Sequence, residues 1–299
     1  MRRRFFTLDV FTDRRFAGNP LAVVLEPDGL DTDAMQTIAR EFSHPETVFV
    51  FPPEDRAHRA ALRIFTPTSE LPFAGHPTVG TAVLLGRLDG GAGARELVVA
   101  EKVGPVRCRV QPIDADRGHA TFTIPKLPEE TRPAADRQAI AAALSLTADD
   151  IGFDGVAPSC WSAGNPFTFV PLRGLDAIGR CRPDMACWAA AFDAGGSGAA
   201  FMFCRETVEA GNAYHARMFH PRMGIPEDPA TGSAVAAFAG LIARIASLPD
   251  GDHTFRIEQG YEMGRPSLIT LGLTLRGGKL TGATVGGEAV VVTEGVIEA

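Results

Sequence analysis

Short apolar stretches of alternating or β-branched character recur along the first half of the chain, at Phe5–Val10, Leu21–Leu25, Thr47–Phe51, Ala61–Phe65, Glu96–Ala100, Val106–Val110 and Ala120–Ile124. Each is bounded by Gly, Pro or Asp, and a repeat of two predicts strands. Asp31–Phe42 differs: its apolar residues fall at 35, 38, 39 and 42 behind the candidate caps Asp31 and Asp33. That spacing predicts a helix. The second half alternates in the same way, with strands near 167–170, 200–204, 214–219, 255–259, 267–271 and 289–293 and helices near 135–145 and 229–246. Lys126–Pro133 reads as a linker, Ala194–Ala199 as a flexible loop, and the glycines near 90–93 and 277–278 as turns.

The chain also repeats itself. Ala17-Gly18-Asn19-Pro20 recurs as Ala163-Gly164-Asn165-Pro166, Arg63-Ile64-Phe65-Thr66-Pro67 as Arg217-Met218-Phe219-His220-Pro221, and His76-Pro77-Thr78-Val79-Gly80-Thr81-Ala82 as Asp228-Pro229-Ala230-Thr231-Gly232-Ser233-Ala234. The offsets are 146, 154 and 152 residues, in the same order and each near half of the 299-residue chain. Three ordered matches at a near-constant offset indicate duplication. Two related domains are expected, over 1–125 and 134–288, with the option that a C-terminal strand over 289–297 returns to the first.

Composition narrows the function. Hydrophobic residues make up 45% and charged residues 22%, the balance of a chain with a real core. A formal charge of −7 gives no general attraction to polyphosphate or to an anionic membrane, so nucleic acid and membrane are not expected partners. After the basic Met1-Arg2-Arg3-Arg4 start, Asp9 and Asp13 interrupt any apolar stretch, unlike a secretion signal. With five cysteines and no C-x-x-C pair, a reducing, cytoplasmic setting is expected. No glycine-rich stretch completes a nucleotide fingerprint.

The repeated motifs read as two helix starts. Asp228-Pro229 has the form of an N-cap followed by proline at the first helical position, and His76-Pro77 opens the matching helix. Each start offers backbone N–H groups and the positive end of a helix dipole, a setting for a carboxylate or another small anion. Gly80 and Gly232 keep side chains out of the way of a close approach. If a pseudo-two-fold axis relates the halves, both ends face one cleft. The symmetry breaks where reactivity matters, with an imidazole at 76 and a carboxylate at 228. Glu46, directly after a helix and at the mouth of a strand, is a third candidate acid or base.

These residues together resemble the phenazine-biosynthesis PhzF-like isomerase family. The likeness runs along the chain through Asp9-Val10-Phe11-Thr12, Gly18-Asn19-Pro20, Pro45-Glu46-Thr47, Gly75-His76-Pro77-Thr78, Arg217-Met218-Phe219, Glu227-Asp228-Pro229-Ala230-Thr231-Gly232-Ser233-Ala234, Gln259-Gly260, Met263-Gly264-Arg265-Pro266-Ser267 and Gly286-Gly287. It implies an α+β, diaminopimelate epimerase-like fold: two duplicated domains, each a curled mixed sheet or barrel around a central helix, with the active site in the interdomain cleft. It implies that Glu46 is the general acid/base and that His76, Asp228 and Ser233 match the other active-site positions. Gly75 and Gly232 would supply backbone contacts, and Asn19 and Thr231 join the substrate-binding set. A homodimer is implied in the same way. Where the family often has Asn-Leu-Ser before the glutamate, this chain has Ser43-His44-Pro45, a departure that bears on substrate identity.

The expected activity is therefore a cofactor-independent isomerase that moves a proton between carbons of a small carboxylate-bearing metabolite, with no cofactor and no metal. A racemase or epimerase is the nearest alternative, but none of Cys108, Cys160, Cys181, Cys187 and Cys204 lies at either helix start, which argues against a two-thiol mechanism. A hydrolase built from Ser233, His76 and Asp228 lacks the G-x-S-x-G turn. The seven histidines form no H-E-x-x-H pair. A binding protein without turnover is the non-enzymatic alternative.

Overall fold

The structure is a computed structural model that describes residues 1–193 and 198–299. Most of the Ala194–Ala199 loop reading thus lies outside the described residues. The chain divides into two compact units, Met1–Pro125 with Val285–Ala299, and Lys126–Thr284.

The first unit holds β1 (Arg2–Val10), β2 (Asn19–Leu25), α1 (Thr32–Phe42), β3 (Glu46–Phe51), β4 (Ala60–Phe65), the two-residue β5 (Glu70–Leu71), α2 (Gly75–Leu88), β6 (Arg95–Glu101), β7 (Gly104–Pro112) and β8 (Arg117–Thr123). The second holds β9 (Glu129–Glu130), α3 (Arg137–Ala143), β10 (Ser159–Ser162), β11 (Pro166–Pro171), α4 (Leu175–Arg180), α5 (Met185–Trp188), β12 (Ala200–Cys204), β13 (Tyr214–His220), β14 (Ile225–Asp228), α6 (Gly232–Ile245), β15 (Gly251–Gln259) and β16 (Ser267–Arg276). The last strand, β17 (Lys279–Glu298), starts in the second unit and ends in the first.

In the first unit β1, β2, β3, β4, β6, β7, β8 and β17 pair in that order, and β17 returns to β1, which closes an eight-stranded ring. The two parallel pairs, β2 with β3 and β4 with β6, are those joined through α1 and α2, as parallel strands need a crossover. Helix α2 is buried from Gly75 through Gly86 and touches β1, β2, β3, β6, β7 and β8. A helix apolar on every side belongs inside, and this one fills the ring. Amphipathic α1 packs Met35 and Ala39 against Val24, Phe49 and Phe65.

In the second unit the pairing runs β9, β10, β11, β12, β13, β15, β16, again with two parallel pairs, β11 with β12 and β13 with β15. Helix α6 is buried from Ala234 to Ile242, and its Phe238 ring lies 4.7–5.6 Å from those of Phe169, Phe201, Phe203 and Tyr214. A further cluster around Trp188 joins α3, α4 and α5. Both units also keep one charged link: Arg63 on β4 pairs with Glu70 on β5 at 2.7 Å, and Arg217 on β13 pairs with Glu227 on β14 at 2.8 Å. Each guanidinium sits over a phenylalanine two residues on, Phe65 or Phe219.

Three readings need correction. The helix expected from 229 begins at Gly232, because Asp228 is the last residue of β14. The strand expected over 289–293 runs for 20 residues, with Gly282, Gly286 and Gly287 inside it, because pairing with its neighbours carries it through glycines that have no side-chain pattern of their own. Lys126–Pro133 is not a bare linker, for it carries β9 on the edge of β10. Strand β10 itself, Ser159-Cys160-Trp161-Ser162, has no alternation to betray it and is buried throughout by its neighbours. No helix among the described residues is long and apolar enough to cross a membrane.

Candidate active site

Glu46 is the first residue of β3, and the parallel register sets it beside Leu21. That places the carboxylate at the level of Asn19-Pro20, where β2 begins after the tight Ala17-Gly18 turn. Gly18 has φ +63, and a Cβ there would meet the Val10 carbonyl at 2.3 Å, so the turn requires glycine. Asn19 is fully buried. His76, in the first turn of α2, is buried too, and its Nε2 lies 3.2 Å from Glu46 Oε2. The sequence named both residues; the structure puts them side by side.

Burial pushes the His76 pKa down to about 3, a hydrogen bond to the Pro20 backbone opposes this, and His44 adds to the lowering. Proline has only a carbonyl to offer, so the imidazole must donate to it. Neutral His76 spends its one N–H on that bond, and Nε2, the atom facing Glu46, is left as an acceptor.

Helix α2 begins at Gly75 with Ala74 as its cap residue, so His76 and Pro77 lie inside the first turn instead of opening it. Gly80 has a different part from the expected one: a Cβ there would stand 2.6 Å from Leu21 Cδ2 and 2.7 Å from Val10 Cγ2, so it serves helix-to-strand packing. Neither Ala74 nor Thr231, the cap residue of α6, makes a side-chain cap bond. By contrast α1, α3 and α5 are capped by Asp31, Asp136 and Asp184.

In the second unit Asp228 is not an N-cap. Its Oδ2 accepts the Thr231 hydroxyl at 2.5 Å, and its backbone carbonyl accepts Gln259 Nε2 at 2.7 Å. Gln259 Oε1 in turn accepts the Thr231 N–H at 3.1 Å. Gly260, φ +79, lets this turn close, since a Cβ there would meet the Arg265 carbonyl at 2.4 Å and the Pro229 carbonyl at 2.6 Å. Gly232 and half-buried Ser233 open α6. Sequence reasoning missed the work of Gln259 and Thr78, although Gln259-Gly260 is among the motifs quoted above.

Thiols are poor acid–base candidates here. Burial pushes Cys108, Cys181 and Cys204 up to about 12. Among the described residues no group of three or more His, Cys, Asp or Glu side chains is arranged to hold a metal ion.

Comparison with known proteins settles the lineage. The family model described as phenazine biosynthesis-like protein matches residues 8–295. The chain belongs to this family. It is 50% identical over 296 residues to an uncharacterized isomerase of Mesorhizobium japonicum, covering 98% of both chains. It is 32% identical over 294 residues to the trans-2,3-dihydro-3-hydroxyanthranilate isomerase of Pseudomonas chlororaphis, again covering 98% of both. The crystal structure of a PhzF-family protein from Bacillus anthracis superposes with a TM-score of 0.90 at 26% identity, with full coverage of both. A hydroxyproline epimerase from Agrobacterium vitis shares the fold alone, at TM-score 0.63 and 12% identity over 99% of this chain and 91% of that one. The chain is thus an enzyme of the isomerase type with an α+β, epimerase-like fold, as the resemblance implied.

Proposed function

We propose that this PhzF-family enzyme moves a proton between carbons of a small carboxylate-bearing metabolite without a cofactor, with Glu46 as the general acid/base. The observation that carries the reading is the 3.2 Å approach of Glu46 to a buried, neutral imidazole whose facing nitrogen is an acceptor. When Glu46 takes a proton from carbon, the new O–H has an acceptor waiting in His76 Nε2. When it returns the proton, that bond is released. A group that must carry a proton and then give it back needs such a partner.

Asp228, Thr231, Gly232 and Ser233 we assign to holding the substrate, along with Asn19 and Gly75. A helix start without a side-chain cap keeps its N–H groups available to an anion, and the Ser233 hydroxyl adds a donor. The isomerase name shared by the relatives supports the reaction class, and trans-2,3-dihydro-3-hydroxyanthranilate is the natural first substrate to try. In deuterated buffer the enzyme is expected to place solvent deuterium on a carbon of that compound, or of another small carboxylate in a panel, and Glu46→Gln is expected to abolish it. Undiminished deuterium incorporation by the variant would overturn the role of Glu46. A ligand bound without exchange would mark a binding protein instead.

A further inference from the structure

In each unit the strand that follows the central helix ends on a side chain that reaches back to the turn opening that helix. In the second unit this is Gln259, the last residue of β15, which also donates to Thr231 Oγ1 at 2.9 Å. In the first it is Glu101, the last residue of β6. The Thr78 hydroxyl, two residues after His76, lies 2.7 Å from the Ala74 carbonyl and 2.7 Å from Glu101 Oε1. One hydroxyl proton cannot serve two acceptors, and the Ala74 carbonyl has none to give. The three-atom contact is satisfied only if Glu101 brings a proton of its own. The second Glu101 oxygen is buried without a hydrogen-bond partner, a setting that opposes a charge.

We propose that Glu101 is held as a neutral carboxylic acid which donates to Thr78 and so fixes the turn carrying His76, as Gln259 fixes the turn carrying Asp228. Glu101 is a positioning residue by this account: the duplicated position calls for a neutral hydrogen-bonding side chain, supplied in one copy as an amide and in the other as a protonated acid. Desolvation pushes the Glu101 pKa up to about 8, outweighing the lowering that a Thr78 hydroxyl donated to the carboxylate would bring. The titratable group near it on β7 is Cys108, itself uncharged because burial above all raises it to about 12. Neighbouring Lys102 is occupied with Glu70 at 2.7 Å.

The positioning role rests on the reading of His76 given above; the protonation state does not. Infrared difference spectra of wild type against Glu101→Gln at neutral pH are expected to show a protonated-carboxyl band that fades as pH rises through about 8. The folded pKa is raised above the unfolded one, so stability is lost as pH climbs between the ordinary glutamate range and that value. The melting temperature of the wild type should therefore fall relative to Glu101→Gln over that window. A missing band with parallel melting curves would overturn the proposal. In NMR, Glu101→Ala is expected to move the His76 ring resonances and Glu101→Gln to restore them. An unmoved ring would overturn the positioning role. With trans-2,3-dihydro-3-hydroxyanthranilate as probe, Glu101→Gln should keep its kcat above pH 8 where the wild type declines. Inactivity of the wild type on every carboxylate tried would instead count against the functional reading, while the spectra still decide on Glu101.

Discussion

The two units share a scaffold and differ in the polar side chains around the starts of their central helices. Each keeps an arginine, on β4 or β13, an acidic partner on the neighbouring β5 or β14 and a phenylalanine under the guanidinium. Each keeps a central helix with no side chain capping its start. Around those starts the polar set diverges: His76 with Glu101 in the first, Asp228 with Gln259 in the second. Elements that close a fold tolerate little change after duplication, whereas groups that face a ligand are where two copies can specialise. Even the shared arginine has diverged in burial, with a side chain 28% exposed for Arg63 and 5% for Arg217.

The largest test of this division is Glu46→Gln, which removes the proposed base and keeps the shape. Turnover should fall by roughly 10²–10⁴-fold, the usual span for a general base, with the melting temperature little changed. Next comes the paired comparison of Arg217→Ala with Arg63→Ala. Arg217 also donates to the Ile178 and Cys181 carbonyls at 2.9 and 3.0 Å, so its loss strands two buried acceptors along with the half-buried Glu227 carboxylate and should cost about 3–5 kcal/mol in urea unfolding. The more exposed Arg63 should cost about 1 kcal/mol. Equal costs would break the claim that the copies diverged in burial.

Smaller effects sharpen the picture around the second helix start. Gly260→Ala forces a Cβ against two carbonyls at a positive φ and should cost roughly 1–3 kcal/mol, read as a lower urea midpoint. Its effect on turnover should exceed that of an equally destabilising change elsewhere, because the Pro229 backbone it would displace adjoins Asp228. Smallest is Asp31→Ala, which strips an ordinary cap from α1, whose Asp31 Oδ1 accepts the Ala34 N–H at 2.8 Å. A loss of about 1 kcal/mol with unchanged turnover is expected, in contrast to any change at the starts of α2 and α6.

Much of this was legible in the chain itself. The repeat of Ala-Gly-Asn-Pro, of Arg-x-Phe and of the helix-start motif announced two similar units, and period-two stretches located most strands, because alternation and turn residues act over a few positions. Glu46, His76 and Asp228 could be named for the same reason, as chemistry-bearing residues at element boundaries. What only the tertiary structure decided was their state. That His76 stays neutral follows from its burial and from a carbonyl at Pro20; that Asp228 ends a strand and leans on Thr231 follows from Gln259, on a strand beyond the helix. Proton affinity and the exact start of a helix depend on desolvation and on partners distant along the chain, which no local pattern records.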